Sequence, residues 1–156
     1  MRPAVIADAD AIAAVHVRAW QETYHHLVPA EKLRALDPVT RSARWRDILS
    51  GDDEQAWVAE LDTEVVGWAT TADRDPTRQP RARELNGIYA YASAHGSGVG
   101  QALLDAALGD APAFLWVAAD NPRAQAFYRR NGFEPDGERD EHPLLDTRIA
   151  IVRWVR

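Results

Sequence analysis

Three glycines within five residues, Gly96-Ser97-Gly98-Val99-Gly100, stand between a β-rich run closing at Ala90 and a helical stripe of Val99, Ala102, Leu103 and Ala106. A strand that gives way to a glycine turn and a helix returns to its sheet through a crossover. Ala113 to Ala118, a short apolar run after the helix-stopping Gly109, is the strand it returns to. The second half of the chain therefore contains one crossover unit, and the remaining elements are arranged around it.

Before the crossover, Asp8 reads as the N-cap of a helix carrying Ile12, Val15, Ala19 and Trp20 at helical spacing. Leu27-Val28-Pro29 interrupts it, and Pro29 begins a second short helix holding Leu33 and Leu36. Asp37-Pro38 opens a third, with Trp45, Ile48 and Leu49 inward and Ser50-Gly51 as its stop. Gln55–Leu61 and Glu64–Thr71 then read as a hairpin turning at Asp62-Thr63. Residues 74–83, with Pro76 and Pro80, read as an exposed loop, and Glu84–Ala90 as the strand leading to the glycines. After the crossover, Asn121-Pro122 opens a helix with Ala124, Phe127 and Tyr128 inward, closed by Asn131-Gly132. Leu144–Val155 reads as one final bent strand. The order predicts a mixed α/β layer structure.

The totals narrow the partners. A chain of 156 residues suits one domain spanning 1–156, since two cores would leave each half short of buried surface. With 24 acidic against 18 basic residues the net charge is -6, which disfavours nucleic acid as a partner. The absence of cysteine removes disulfides, thiolate metal sites and a cysteine acyl-enzyme. The first residues are charged too early for a signal segment and no apolar run reaches spanning length, so a cytoplasmic protein without a membrane partner is expected. The histidines show no metal-ligand spacing, and no catalytic metal is expected.

Glycines before a helix expose backbone N–H groups to a ligand, and the helix dipole adds a partial positive charge there, a combination suited to pyrophosphate. A steric turn uses glycine in the same way. A dinucleotide-binding fingerprint would want Gly or Ala where Gln101 stands. Asp120 lies at about the right distance for that fingerprint, but the loop does not follow its strand directly and a second mononucleotide half is missing.

Glu84-Leu85-Asn86-Gly87-Ile88-Tyr89-Ala90, with His95 to Gly100 and Gln101-Ala102-Leu103-Leu104, resembles motif A of the GNAT acetyltransferases. Asn121-Pro122-Arg123-Ala124-Gln125-Ala126-Phe127-Tyr128 through Gly132-Phe133 resembles motif B of that family. The resemblance covers residues 55–137, and His16-Val17-Arg18-Ala19-Trp20, Tyr24 and Leu27-Val28-Pro29 extend it to the acceptor-side helices of one bacterial branch. It departs at His95, where the family usually carries Arg or Gln.

The resemblance implies a GNAT-like fold: a central, mostly antiparallel sheet flanked by helices, with two parallel middle strands splayed apart. It implies acetyl-CoA as cosubstrate and a small-molecule or peptide amine as acceptor; a homodimer is compatible with it. The acetyl group would move by direct transfer in a ternary complex. Ile88, Tyr89 and Ala90, His95, Gly96, Ser97, Gly98, Val99, Gly100 and Gln101, and Asn121, Ala124 and Phe127 are then expected around the cofactor. Tyr128 is expected as general acid to the leaving thiolate and Glu84 as a catalytic carboxylate. Each has a plainer role open to it: a core aromatic, a solvated strand end and, for Asn121, an N-cap. His16, His25 and His26 are further candidate bases. Trp20, Tyr24 and Trp68 are expected to line the acceptor pocket. A non-catalytic acyl-CoA sensor, keeping the glycine loop without turnover, is the alternative.

Overall fold

The computed structural model describes residues 1–156 as a seven-stranded sheet with helices on both faces. In chain order these are β1 (Arg2–Pro3), α1 (Ala9–Tyr24), α2 (Ala30–Arg34), α3 (Pro38–Ser50), β2 (Glu54–Leu61), β3 (Glu64–Asp73), β4 (Arg83–Ala90), α4 (Val99–Leu108), β5 (Phe114–Ala118), α5 (Pro122–Arg130), β6 (Glu134–Leu144) and β7 (Thr147–Val155). The strand order is β1-β2-β3-β4-β5-β7-β6, and every neighbouring pair is antiparallel except β4–β5. No helix is long and apolar enough to cross a membrane.

Alternation along the strands builds two cores, because successive side chains leave opposite faces. Val58 and Trp68 face α1 and α3, where they join Ile12, Val15 and Trp45. Their neighbours Ala59 and Ala69 face the other way, toward Leu103 and Leu104 of α4, with Leu85, Phe133 and Trp154 in the same cluster. On α4 the buried stripe is Val99, Leu103, Leu104, Ala107 and Leu108; Ala106 is exposed. β3, between two covered faces, is buried from Val65 to Ala72.

One irregularity positions the site. Thr70 pairs with Gly87 and Thr71 with Leu85, which leaves Asn86 as an extra residue that bends β4. On its other edge β4 meets β5 only at Glu84↔Phe114 and Leu85↔Leu115. Beyond those pairs the parallel strands diverge, and the edge of β4 from Asn86 to Ala90 has no strand beside it.

Three expectations need correction. Asp8 does not cap α1: it ends a 3₁₀ turn (Ile6–Asp8) that runs straight into the helix. Its carboxylate accepts from the Val5 amide at 2.8 Å and pairs with Arg2 at 2.7 Å. Leu144–Val155 is not one bent strand, since Leu144 ends β6 and Leu145-Asp146, at φ 50° and 59°, turn the chain into β7. β6 itself went unseen because all of Glu134–Pro143 is exposed and shows no apolar alternation.

Candidate active site

The divergence of β4 and β5 opens two clefts that meet. The smaller, about 320 Å³, lies over the glycine loop and is lined by Ile88, Tyr89 and Ala90 of β4, by His95, Gly96, Gly98, Gly100 and Gln101, and by Asn121, Arg123, Ala124 and Phe127 near α5. Gly96 and Gly98 adopt φ of 80° and 90°, a region closed to most side chains, and a Cβ at either would meet nothing within 4 Å. The loop is therefore bare toward the cleft. The amides of Gly98, Val99, Gly100 and Gln101 find no acceptor within the chain, the usual state of a helix N-terminus, so four N–H groups and the α4 dipole converge here. Arg123, exposed and without an ion-pair partner, adds a cation to the wall.

His95 folds back toward β4, its Nε2 3.2 Å from the Ala90 carbonyl oxygen. Burial, reinforced by the Arg123 charge, lowers its pKa.

The larger cleft, about 900 Å³, lies between α1, α3 and the β6–β7 hairpin. Its floor is an aromatic cluster: His16 lies 4.5 Å from Trp20 and 5.1 Å from Trp68 between ring centroids, Trp45 lies 4.6 Å from Trp68, and Trp68 lies 5.1 Å from Tyr89. Trp45 Nε1 donates to His16 Nδ1 at 3.2 Å. An indole nitrogen only donates, so the neutral imidazole carries its proton on Nε2. Burial pushes the His16 pKa down to about 3, with the Arg41 and Arg44 charges acting in the same direction. His16 is thus neutral at physiological pH, and a base so weak does not deprotonate an ammonium.

Ile88, Tyr89, Asn121, Ala124 and Tyr128 line both clefts and form the junction. The Tyr24 and Tyr89 hydroxyls share a 2.7 Å hydrogen bond. Tyr128 is buried, yet its hydroxyl makes no hydrogen bond within the chain. Burial raises the pKa of all three tyrosines, and Tyr128 keeps its proton throughout the neutral range.

The expected residues thus divide by place. Trp20, Tyr24 and Trp68 come together in the larger cleft, as does Glu84, whose carboxylate is engaged by Arg74. Ser97 and Val99 line neither cleft: the Ser97 hydroxyl closes on the Ala94 carbonyl, and the Val99 side chain enters the core. Phe127 and Ala124 are only half-buried, because they face the smaller cleft. His25 and His26 lie outside both clefts, His26 bonding the Asp120 carbonyl oxygen at 2.9 Å. Arg41, Arg44 and Arg123 were not singled out from sequence, where arginines on helices look like solvated charges.

A glycine-loop cleft thus meets an aromatic cleft beside the buried Tyr128, where β4 and β5 diverge. The fold agrees with solved N-acetyltransferases. A ribosomal-protein-alanine N-acetyltransferase from Brucella melitensis superposes with a TM-score of 0.73 at 24% identity, over 99% of this chain and 97% of that one. The PaiA N-acetyltransferase of Thermoplasma acidophilum, solved in complex with coenzyme A, superposes with a TM-score of 0.68 at 17% identity, over 97% and 95%. In sequence, an uncharacterized N-acetyltransferase of Mycobacterium tuberculosis is 31% identical over 139 residues, covering 85% of this chain and 86% of the relative. The profile of the acetyltransferase (GNAT) family matches residues 16–133. The chain belongs to the GNAT family of acetyltransferases.

Proposed function

We propose that residues 1–156 act as one acetyltransferase domain that moves the acetyl group of acetyl-CoA onto an amine by direct transfer. The observation that carries this reading is the junction: two clefts of different character share Ile88, Tyr89, Asn121, Ala124 and Tyr128 at the mouth of the β4/β5 gap.

The smaller cleft suits acetyl-CoA. The room above Gly96 and Gly98, the unpartnered amides from Gly98 to Gln101 and the free cation of Arg123 match a pyrophosphate. The bared edge of β4 at Ile88–Ala90 offers backbone groups to the pantetheine arm, and amides there would act as oxyanion-type donors. Acetyl-CoA supplies an acyl carbon already activated as a thioester. Tyr128 holds a proton on Oη for the departing sulfur, which its raised pKa keeps available at neutral pH. Glu84, ion-paired with Arg74 in the larger cleft, would draw the proton of the amine through water. Lacking cysteine, the chain favours a ternary complex over an acyl-enzyme.

Calorimetric titration with acetyl-CoA, free CoA and NAD, followed by an amine panel, tests the reading. Saturable acetyl-CoA binding with release of CoA thiol in the presence of an amine is expected. Binding without transfer to any amine would leave an acyl-CoA sensor, and binding of NAD alone would overturn the assignment.

A further inference from the structure

We infer that the larger cleft selects amines that also carry a carboxylate, with Arg41 and Arg44 as its anchor. The inference rests on the acetyltransferase reading above and names the acceptor class for that site.

Eight of the seventeen arginines have a carboxylate partner. Arg41 and Arg44 form none, although the protein carries six more negative than positive charges. Both line the larger cleft. They stand one turn apart on α3, a like-charge arrangement that disfavours the helix unless an anion bridges them. Arg41 is half-buried, and burial together with the Arg44 charge lowers its pKa, so the pair is held against an electrostatic cost.

The geometry of Arg41 suits a carboxylate. Its guanidinium carbon lies 5.1 Å from the centroid of the Trp20 ring. An arginine stacked on an indole keeps the N–H groups of its rim free for a planar two-oxygen acceptor. Trp20 lies 6.5 Å from Tyr89, which lines the junction with the cofactor cleft. Two steps along neighbouring rings therefore lead from the cation to the place of transfer, a span for a compact acceptor. Glu54 and Asp140, which line the same cleft without a cationic partner, provide the complementary charge for an incoming ammonium. Cations and carboxylates unpaired in one cleft match a zwitterion.

The test compares matched amines: free amino acids, their carboxamides, the corresponding decarboxylated amines, dipeptides and O-phosphoethanolamine, assayed by CoA release at saturating acetyl-CoA. Free amino acids or dipeptides should exceed their carboxamides by at least about tenfold in kcat/KM, chiefly through KM. Whichever of the two is better shows whether the carboxylate belongs to a single amino acid or to a peptide C-terminus. Arg41→Gln should erase the discrimination and Arg41→Lys should keep part of it. Equal rates with and without the carboxylate, preference for O-phosphoethanolamine, no turnover of any amine, or discrimination surviving in Arg41→Gln each overturn the inference. The parent reading fails separately: wild-type protein that does not bind acetyl-CoA calorimetrically refutes the acetyltransferase assignment before any acceptor is added.

Discussion

The two clefts are built of different material. The smaller is largely backbone: bare amides of the α4 N-terminus, glycines at positive φ and the free edge of β4. The larger is side chain, contributed by α1, α3, β3 and β4, with indoles, tyrosines and an imidazole packed ring against ring. A backbone site tolerates change wherever the main chain keeps its path, so one such cradle can serve many proteins. A side-chain site alters with each substitution, so under the proposed function the choice of acceptor would be set here. The contrast predicts that cofactor and acceptor binding respond to separate mutations.

The largest effect should come from Gly98→Glu. At φ 90° the new residue strains the loop, and its carboxylate enters the space proposed for phosphate. Calorimetry should show acetyl-CoA affinity falling at least about a hundredfold, while Trp20→Ala in the other cleft leaves it within about threefold. Equal losses from the two substitutions would break the comparison. Tyr128→Phe, at the junction, comes next. Removing a general acid should lower kcat about a hundredfold with acetyl-CoA affinity nearly intact, because the ring still fills its place beside Phe127 and Phe133. An unchanged kcat would reduce Tyr128 to a core aromatic.

The same division explains what was legible in the sequence. The glycine loop and the α5 start at Asn121-Pro122 are contiguous, and their chemistry depends on neighbours in the chain, so sequence alone placed them. Arg41 and Arg44 acquire meaning only when α3 is laid against α1 and Trp20, a long-range event without local signature. His16 looked like a candidate base because histidine ordinarily titrates near neutrality; packing among three tryptophans makes it too weak. β6 escaped for a related reason. It is held by pairing to β7 rather than by burial, and its exposed acidic residues follow no strand pattern.

The aromatic floor has a pH signature of its own. His16 has a folded pKa of about 3 against about 6.5 for the unfolded chain. Its neutral form is therefore favoured by folding: this contribution is fully present above about pH 6.5 and is lost as pH falls toward 3. Urea unfolding at pH 7 and pH 4 should show wild type losing about 3 kcal/mol more than His16→Gln over that interval. Carboxylates such as Asp8, held low by Arg2, lose stability in acid in both proteins and cancel in the difference. Parallel losses in the two would mean that His16 is more open to solvent than its packing implies.

Asn121 should show the smallest effect and is the sharpest test of the boundary, since it lines both clefts. Its Oδ1 accepts from the Ala124 amide at 3.1 Å, so it caps α5 whatever else it does. Asn121→Ala should cost about 1 kcal/mol of stability through the lost cap. Asn121→Ser retains a capping oxygen and should recover most of that loss, but it has no amide N–H to offer a ligand. If Asn121→Ser then binds acetyl-CoA several-fold more weakly at near wild-type stability, the side chain contributes to the cradle as well as to the helix. If its affinity matches wild type, the cofactor cleft is a backbone site up to the junction itself, and Asn121 serves it only by fixing where α5 begins.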